Sequence, residues 1–300
     1  MGLELYFEHR NYLSSAFLFL PLSAWLVGLY EKDKKIVAVV GPLLIILVLS
    51  FLTWTRSNIW SDTRQLEMYW AASTPESPRA QNKIGSLLLN IGKLDESIAH
   101  MDKAVDLFPQ SSLLVINNIL IKVYAGRATE SDFMHASEMI KSQPFDAQSV
   151  MGLRNLAEKV SDPRADETYR VFTLALLDSI SENKNYNRVY SFQKLVHYLK
   201  GLIYLSLKDY DQGFKEFNQA ITMYSETDAA LSMVAIMANA DRPVEALMLF
   251  KQAERVFNLQ PDKTLKRSRG LYESEFKRLG IVIEENLKAI GINHIDEKES

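Results

Sequence analysis

The 300-residue chain contains no cysteine, so it holds neither disulfides nor thiolate chemistry, and its redox compartment is left undetermined. It has no excess of basic charge either. Lys and Arg number 34 against 37 Asp and Glu, for a net charge of -3 and a pI near 6.0. No basic face is available to neutralise phosphates along a backbone, which excludes general nucleic-acid binding. His9, His100, His135, His197 and His294 are scattered without metal-ligand spacing, and no phosphate-cradling glycine loop or nucleophile motif is present. No catalytic residue, metal or cofactor is therefore expected. The last scarcity is local: residues 11–30 and 36–55 contain no charged side chain at all. A mean hydropathy of -0.09 hides this, because the charged remainder dilutes both runs.

Each run has the length a helix needs to cross a hydrocarbon core about 30 Å thick. A secretory signal does not fit the first one, because its leader MGLELYFEHR carries Glu4 and Glu8 beside Arg10 and no small-x-small cleavage site follows. Pro21 and Pro42 lie within the runs, where spanning helices tolerate proline. Only Glu31-Lys32-Asp33-Lys34-Lys35 separates them, which predicts a tight antiparallel hairpin with both termini on one side. Three lysines in the loop, against Arg10, Arg56 and Arg64 outside it, lean towards a cytoplasmic loop and an exported C-terminal domain. A bacterial inner membrane with a periplasmic domain is the expected location. A buried apolar hairpin in a soluble fold is the alternative.

From 78 to 109 the chain reads PRAQNKIGSLLLNIGKLDESIAHMDKAVDLFP. Small residues recur where two packed helices need close approach: Gly85 on the first helix, Gly92 at the turn, Ala99 and Ala104 on the second, with Pro109 as the stop. Asp95 and Glu96 complement the macrodipole at the start of the second helix. This resembles a tetratricopeptide repeat. A second copy over 194–224 places Gly201, Tyr204, Phe217 and Ala220 in the same register, and a third is marked by Ala246, Phe250 and Ala253, with Val234 at the first-helix glycine position. Between the first and second copies, 113–125, 130–141, 147–160 and 164–181 read as amphipathic helices. Helices over 263–290 are expected to cap the stack.

The expected fold is therefore all-α, a two-helix transmembrane hairpin followed by a TPR-like α-solenoid. Its divisions are 1–56 as hairpin, 57–77 as an amphipathic juxtamembrane connection, 78–290 as repeats and 291–300 as a tail. The concave face of such a stack commonly holds an extended peptide or protein partner. In the connection, Ile59, Leu66, Tyr69 and Trp70 either lie along the bilayer surface or pack against the first repeat. Glu8, His9, Arg10 and Tyr12, just before the first run, either grip a lipid-linked phosphate or anchor the interface.

The order of these features resembles the C-terminal end of polytopic, tetratricopeptide-containing glycosyltransferases of the GT-C type, relatives of the transmembrane-and-tetratricopeptide O-mannosyltransferases. The resemblance is carried by LYFEHRNYLSSAFLF before the first run, by RSNIWSDTRQLEMYWAASTPESPRAQNKIG after the second, and by the repeats that follow. It implies an enzyme that takes sugar from a polyprenyl-phosphate donor and places it on protein, with the repeats engaging the acceptor. Ser14 stands where a proline often follows the EHRxYL element. The family's catalytic acid sits in an early external loop between spans this sequence does not contain. Catalysis by this chain alone is not expected. The expectation is a binding module, alternatively a non-catalytic envelope scaffold, or a subunit supplying part of a donor site in trans beside a polytopic partner.

Overall fold

The computed structural model describes residues 35–292, together with residues 17, 20–25 and 27–28. Glu8, His9, Arg10, Tyr12 and His294 lie outside the described residues. The chain divides into two compact units, Met1–Ala72 and Ser73–Ser300, and the described residues contain helices and no strand.

In the first unit, the described residues of the first apolar run are helical. Helix α1 (Lys35–Ser61) continues through Pro42 and, beyond the expected end near 55, through Arg56 to Ser61. Its hydroxyls bond back to its own carbonyls, Thr53 to Leu49 at 2.7 Å and Thr55 to Leu52 at 2.9 Å, so these polar groups need no outside partner. The helix ends at Asp62, whose carboxylate accepts from the Arg64 and Gln65 amides and caps α2 (Thr63–Ser73). Ile59, Leu66, Tyr69 and Trp70 all line one cavity of about 470 Å³ between α2 and the second half of α1.

The second unit is a stack of antiparallel helix pairs: α3 (Pro78–Asn90) with α4 (Leu94–Leu107), α5 (Ser112–Tyr124) with α6 (Glu130–Ile140), and α7 (Ala147–Val160) with α8 (Glu167–Glu182). After a single turn, α9 (Lys184–Asn187), come α10 (Tyr190–Ser206) with α11 (Tyr210–Met223) and α12 (Thr227–Asn239) with α13 (Pro243–Leu259). A 3₁₀ turn and α14 (Arg269–Ala289) close the stack, so one long helix replaces the capping helices expected there. First helices pack on first helices (α3 on α5, α5 on α7, α7 on α10), and second helices on second helices (α6 on α8, α11 on α13).

Pairing depends on a slot left by a missing side chain. A Cβ on Gly85 would overlap Met101, and one on Gly201 would overlap the Phe217 ring. Met101 and Phe217 are fully buried in these slots. In the third copy Val234 fills the slot itself and is fully buried. Phe250 is accordingly only half-buried and stacks edge-on against Phe276 of α14, with centroids 5.5 Å apart. Ala104, Ala220, Ala246 and Ala253 are buried at the remaining tight contacts, and Tyr204 is half-buried.

The turns repeat as well. Gly92, Gly126, Lys208, Asp241 and Gly291 all have positive φ, from +57° to +82°. After each, the next amide reaches back five residues to close a Schellman turn, as in Lys93 to Leu88 at 2.9 Å and Asp209 to Tyr204 at 2.9 Å. Gly126 reveals α5–α6 as a further copy of the repeat, its turn standing 34 residues after that at Gly92.

In the irregular middle, polar side chains replace sequence symmetry. Arg170, 7% exposed, donates to the carbonyls of Val160, Asp162 and Ala165 and, at 3.2 Å, to that of Ser206. One guanidinium thus satisfies the carboxyl-terminal ends of α7 and α10. Asn183 donates to Ile140 and Gln143, and buried Tyr186 shares a 2.7 Å hydrogen bond with Ser149. Val105 joins the core of the first pair to the middle, and Tyr198 and Leu202 join the middle to the last pairs.

Gly201→Val is expected to evict Phe217 and destabilise the unit by about 1–3 kcal/mol, as overpacking does. Lys208→Gly removes a left-handed penalty and should stabilise it by roughly 0.5–1 kcal/mol. Urea unfolding followed by circular dichroism checks both, and equal midpoints for the two variants would refute the assignment.

Candidate partner-binding surface

A cavity of about 730 Å³ in the repeat unit lies between the carboxyl-terminal ends of α11 and α13. Its position follows from how two helices stop. Tyr224 leaves α11 in extended conformation (φ -87°, ψ 138°), and Gln260 leaves α13 the same way (φ -77°, ψ 122°). The buried Gln260 amide oxygen accepts from both the amide and the hydroxyl of Thr227 at 2.8 and 2.7 Å, and so ties the start of α12 to the end of α13. Arg269 donates to the Gln260 carbonyl and covers the Phe257 ring at 4.5 Å. Ile221, Val256, Leu259 and Pro261 supply the apolar wall, and Gln252, Glu226 and the exposed Arg255 supply polar groups. Leu259, among the residues lining the cavity, is 83% exposed.

One rim of the cavity is an ion pair laid over a ring. The Lys194 ammonium meets both Glu226 oxygens at 3.0 and 2.9 Å and sits 4.5 Å from the centre of the Tyr224 ring. Burial raises the Glu226 carboxyl, but the Lys194 ammonium and backbone amides outweigh it and hold the group below its ordinary value. Tyr224 moves the other way: burial, with smaller contributions from Tyr198 and Glu226, pushes its phenol up to about 12. Tyr198 stacks on Phe217 at 5.8 Å, linking this rim to the glycine slot of the second copy.

The first-helix layer carries exposed and charged side chains of its own. On α7, Met151 is exposed and Arg154 pairs with Glu158 at 2.8 Å, and Lys159 lies 4.6 Å from the centre of the Tyr124 ring on α5. The repeat-signature residues are structural rather than ligand-facing: Gly85, Ala104, Gly201, Phe217, Ala220, Ala246 and Ala253 are buried, Gly92 makes a turn, and Pro109 follows α4. Of the described histidines, His100 contacts the Gln81 carbonyl and His197 pairs with Glu216 at 2.6 Å, and no metal-holding group occurs among the described residues. Sequence reading missed Tyr224, Arg255 and Leu259. The available signal was an apolar residue directly before Gln260-Pro261, at a position where a helix stops.

The profile described as tetratricopeptide repeat matches residues 78–111 and 196–227. The chain carries tetratricopeptide repeats. Its repeat domain is an all-α TPR solenoid, an architecture that serves as a protein-interaction scaffold. Comparison with curated proteins found no match. Among solved structures, one titled "Functional Characterization of Pseudomonas Aeruginosa pilF" is similar with a TM-score of 0.39 and 14% identity, over 73% of this chain and 93% of that chain.

Because the folded Tyr224 value lies above the ordinary 10.0, the stability contributed by its neutral phenol is complete below pH 10 and is lost as pH rises towards 12. Denaturant unfolding across this interval should show a shallower loss for Tyr224→Phe than for wild type. Tyr169, Tyr204 and Tyr272, also raised by burial, keep a residual slope in both. Parallel slopes would show that Tyr224 is not buried as described.

Proposed function

We propose that the chain is a membrane-anchored TPR protein whose repeat domain holds an apolar segment of a protein partner. The anchor reading rests on α1: Val39–Ser61 is long and apolar enough to cross a membrane, with a mean hydropathy of 1.9 and none of its most apolar window buried. Leu44, Ile46, Leu47, Phe51 and Leu52 are each more than half exposed, an apolar surface that lipid covers at no cost in backbone polarity. The partner reading rests on the α11–α13 cavity and its exposed Leu259. The lysines at 32, 34 and 35 support a cytoplasmic hairpin loop and a periplasmic repeat domain.

In cells, a fusion at Ser300 to a reporter that fluoresces only in the cytoplasm should stay dark and resist extraction at alkaline pH. A photo-crosslinking residue in place of Leu259 in the same chain should give one discrete protein adduct, and an added Val256→Asp should abolish it. A bright or extractable fusion overturns the anchor, and an adduct indifferent to Val256→Asp overturns the groove.

We further propose that the chain corresponds to the C-terminal part of a GT-C-like protein glycosyltransferase. The order of the EHRNYL element, apolar runs, RSNIW segment and repeats supports this. In that reading Glu8, His9, Arg10 and Tyr12 contact a polyprenyl-phosphate sugar, in trans to a polytopic partner. Arg10→Ala should then weaken donor binding by about tenfold or more, the loss of a charge-assisted hydrogen bond, and Arg10→Lys should restore it only in part. Binding of the donor to the detergent-solubilised chain, alone and with the partner, is the measurement. Equal binding by all three proteins leaves the envelope-scaffold reading.

A further inference from the structure

Helix α1 is longer than a membrane requires. Its 27 residues rise about 40 Å at ~1.5 Å each, whereas a hydrocarbon core about 30 Å thick takes roughly 20 of them. On the anchor reading above, on which this inference rests, the uncharged stretch from 36 to 55 fills the core, and Arg56 to Ser61 stand among the lipid headgroups.

The cavity of about 470 Å³ between α1 and α2 straddles that boundary. Leu49 and Leu52 line its deeper end and are 44% and 54% exposed, so they continue the bare apolar surface of the span into the cavity. Arg56, Ile59 and Trp60 line its outer end together with Leu66, Tyr69 and Trp70 of α2. Arg56, Trp60 and Tyr69 are exposed, which leaves that end open to a ligand. Between the two ends, the Thr53 and Thr55 hydroxyls donate to carbonyls of their own helix and add no donor to the cavity. Arg56 alone is charged among the lining residues, all of them described. The rings of Trp60, Tyr69 and Trp70 are of the amphipathic kind that settles at headgroup level.

The lining is thus apolar at one end and cationic at the other, and it joins a face that lipid covers. A free phosphate would leave Leu49 and Leu52 uncovered, and a plain hydrocarbon makes no use of a cation at headgroup level. We propose that the α1–α2 cavity binds one anionic phospholipid of the bilayer, with an acyl chain along Leu49 and Leu52 and the headgroup phosphate at the Arg56 guanidinium.

The test uses the full chain in detergent micelles, titrated with phosphatidylglycerol or with phosphatidylcholine of the same acyl chains, and native mass spectrometry to count the lipids retained per chain. One phosphatidylglycerol should be held about fivefold more tightly than phosphatidylcholine, the effect of one basic residue at an anionic headgroup. Arg56→Gln should remove the preference and Arg56→Lys should keep most of it. Leu66→Trp, which fills the cavity, should weaken retention of both lipids at least fivefold, and Arg64→Gln, on α2 outside the lining, should change nothing. Excess glycerol 3-phosphate, a headgroup without chains, should not displace the lipid. Equal retention of the two lipids, displacement by glycerol 3-phosphate, or a Leu66→Trp chain that retains lipid as wild type does would overturn the site, the last of these independently of whether Arg56→Gln folds. Alkaline extraction separates the two readings: a chain that resists extraction yet shows no lipid preference keeps the anchor and loses the site, and an extractable chain loses the anchor itself.

Discussion

The repeat domain depends on how closely two antiparallel helices can approach. At Gly85 and Gly201 the absence of a Cβ lets Met101 and Phe217 enter the facing helix and become fully buried. Interiors pack at crystal-like density, so such a slot must be filled by something of the right shape. Val234 shows the alternative: once the slot holds its own side chain, the partner aromatic moves outward. Phe250 then serves the interface with α14 instead, meeting Phe276 beside Phe257.

Where repeat spacing lapses, hydrogen bonding to helix ends takes over. Arg170 binds four carbonyls, and Asn183 binds the two carbonyls that close the α6–α7 connection. A buried guanidinium without a carboxylate is sustainable here because helix carboxyl termini carry partial negative charge and need donors. These contacts let the middle pairs vary in length while the stack continues to the second copy.

Two cavities of the repeat domain differ in chemistry for reasons of packing. Between α11 and α13 the helices end one after the other, so the last apolar turns, ending at Leu259, are left without cover. Between α4 and α6 the turn after Gly126 is longer, with Arg127, Ala128 and Thr129 preceding α6, and the flank of α5 that shows through is polar.

Much of this was legible from the sequence. The two uncharged runs, the amphipathic period and the Gly85, Gly201 and Ala220 register determined an all-α chain with repeats, because composition and spacing act locally through propensity and burial. Helix ends at Asp146, Val160 and Ile140 followed from caps and breakers within a residue or two. The turns at Lys208 and Asp241 were not legible, since lysine does not favour positive φ and aspartate only tolerates it, so that the packing of the flanking helices imposes it. Nor were the four carbonyls around Arg170 or the ion pair laid over Tyr224. The Ser206 carbonyl lies 36 residues from Arg170, and Lys194 lies 32 from Glu226, so such pairings exist only once the stack has brought them together. The sequence by itself determined which helices form and that they pair. Tertiary structure decided which polar and apolar groups were left without a partner, because that depends on where neighbouring helices end.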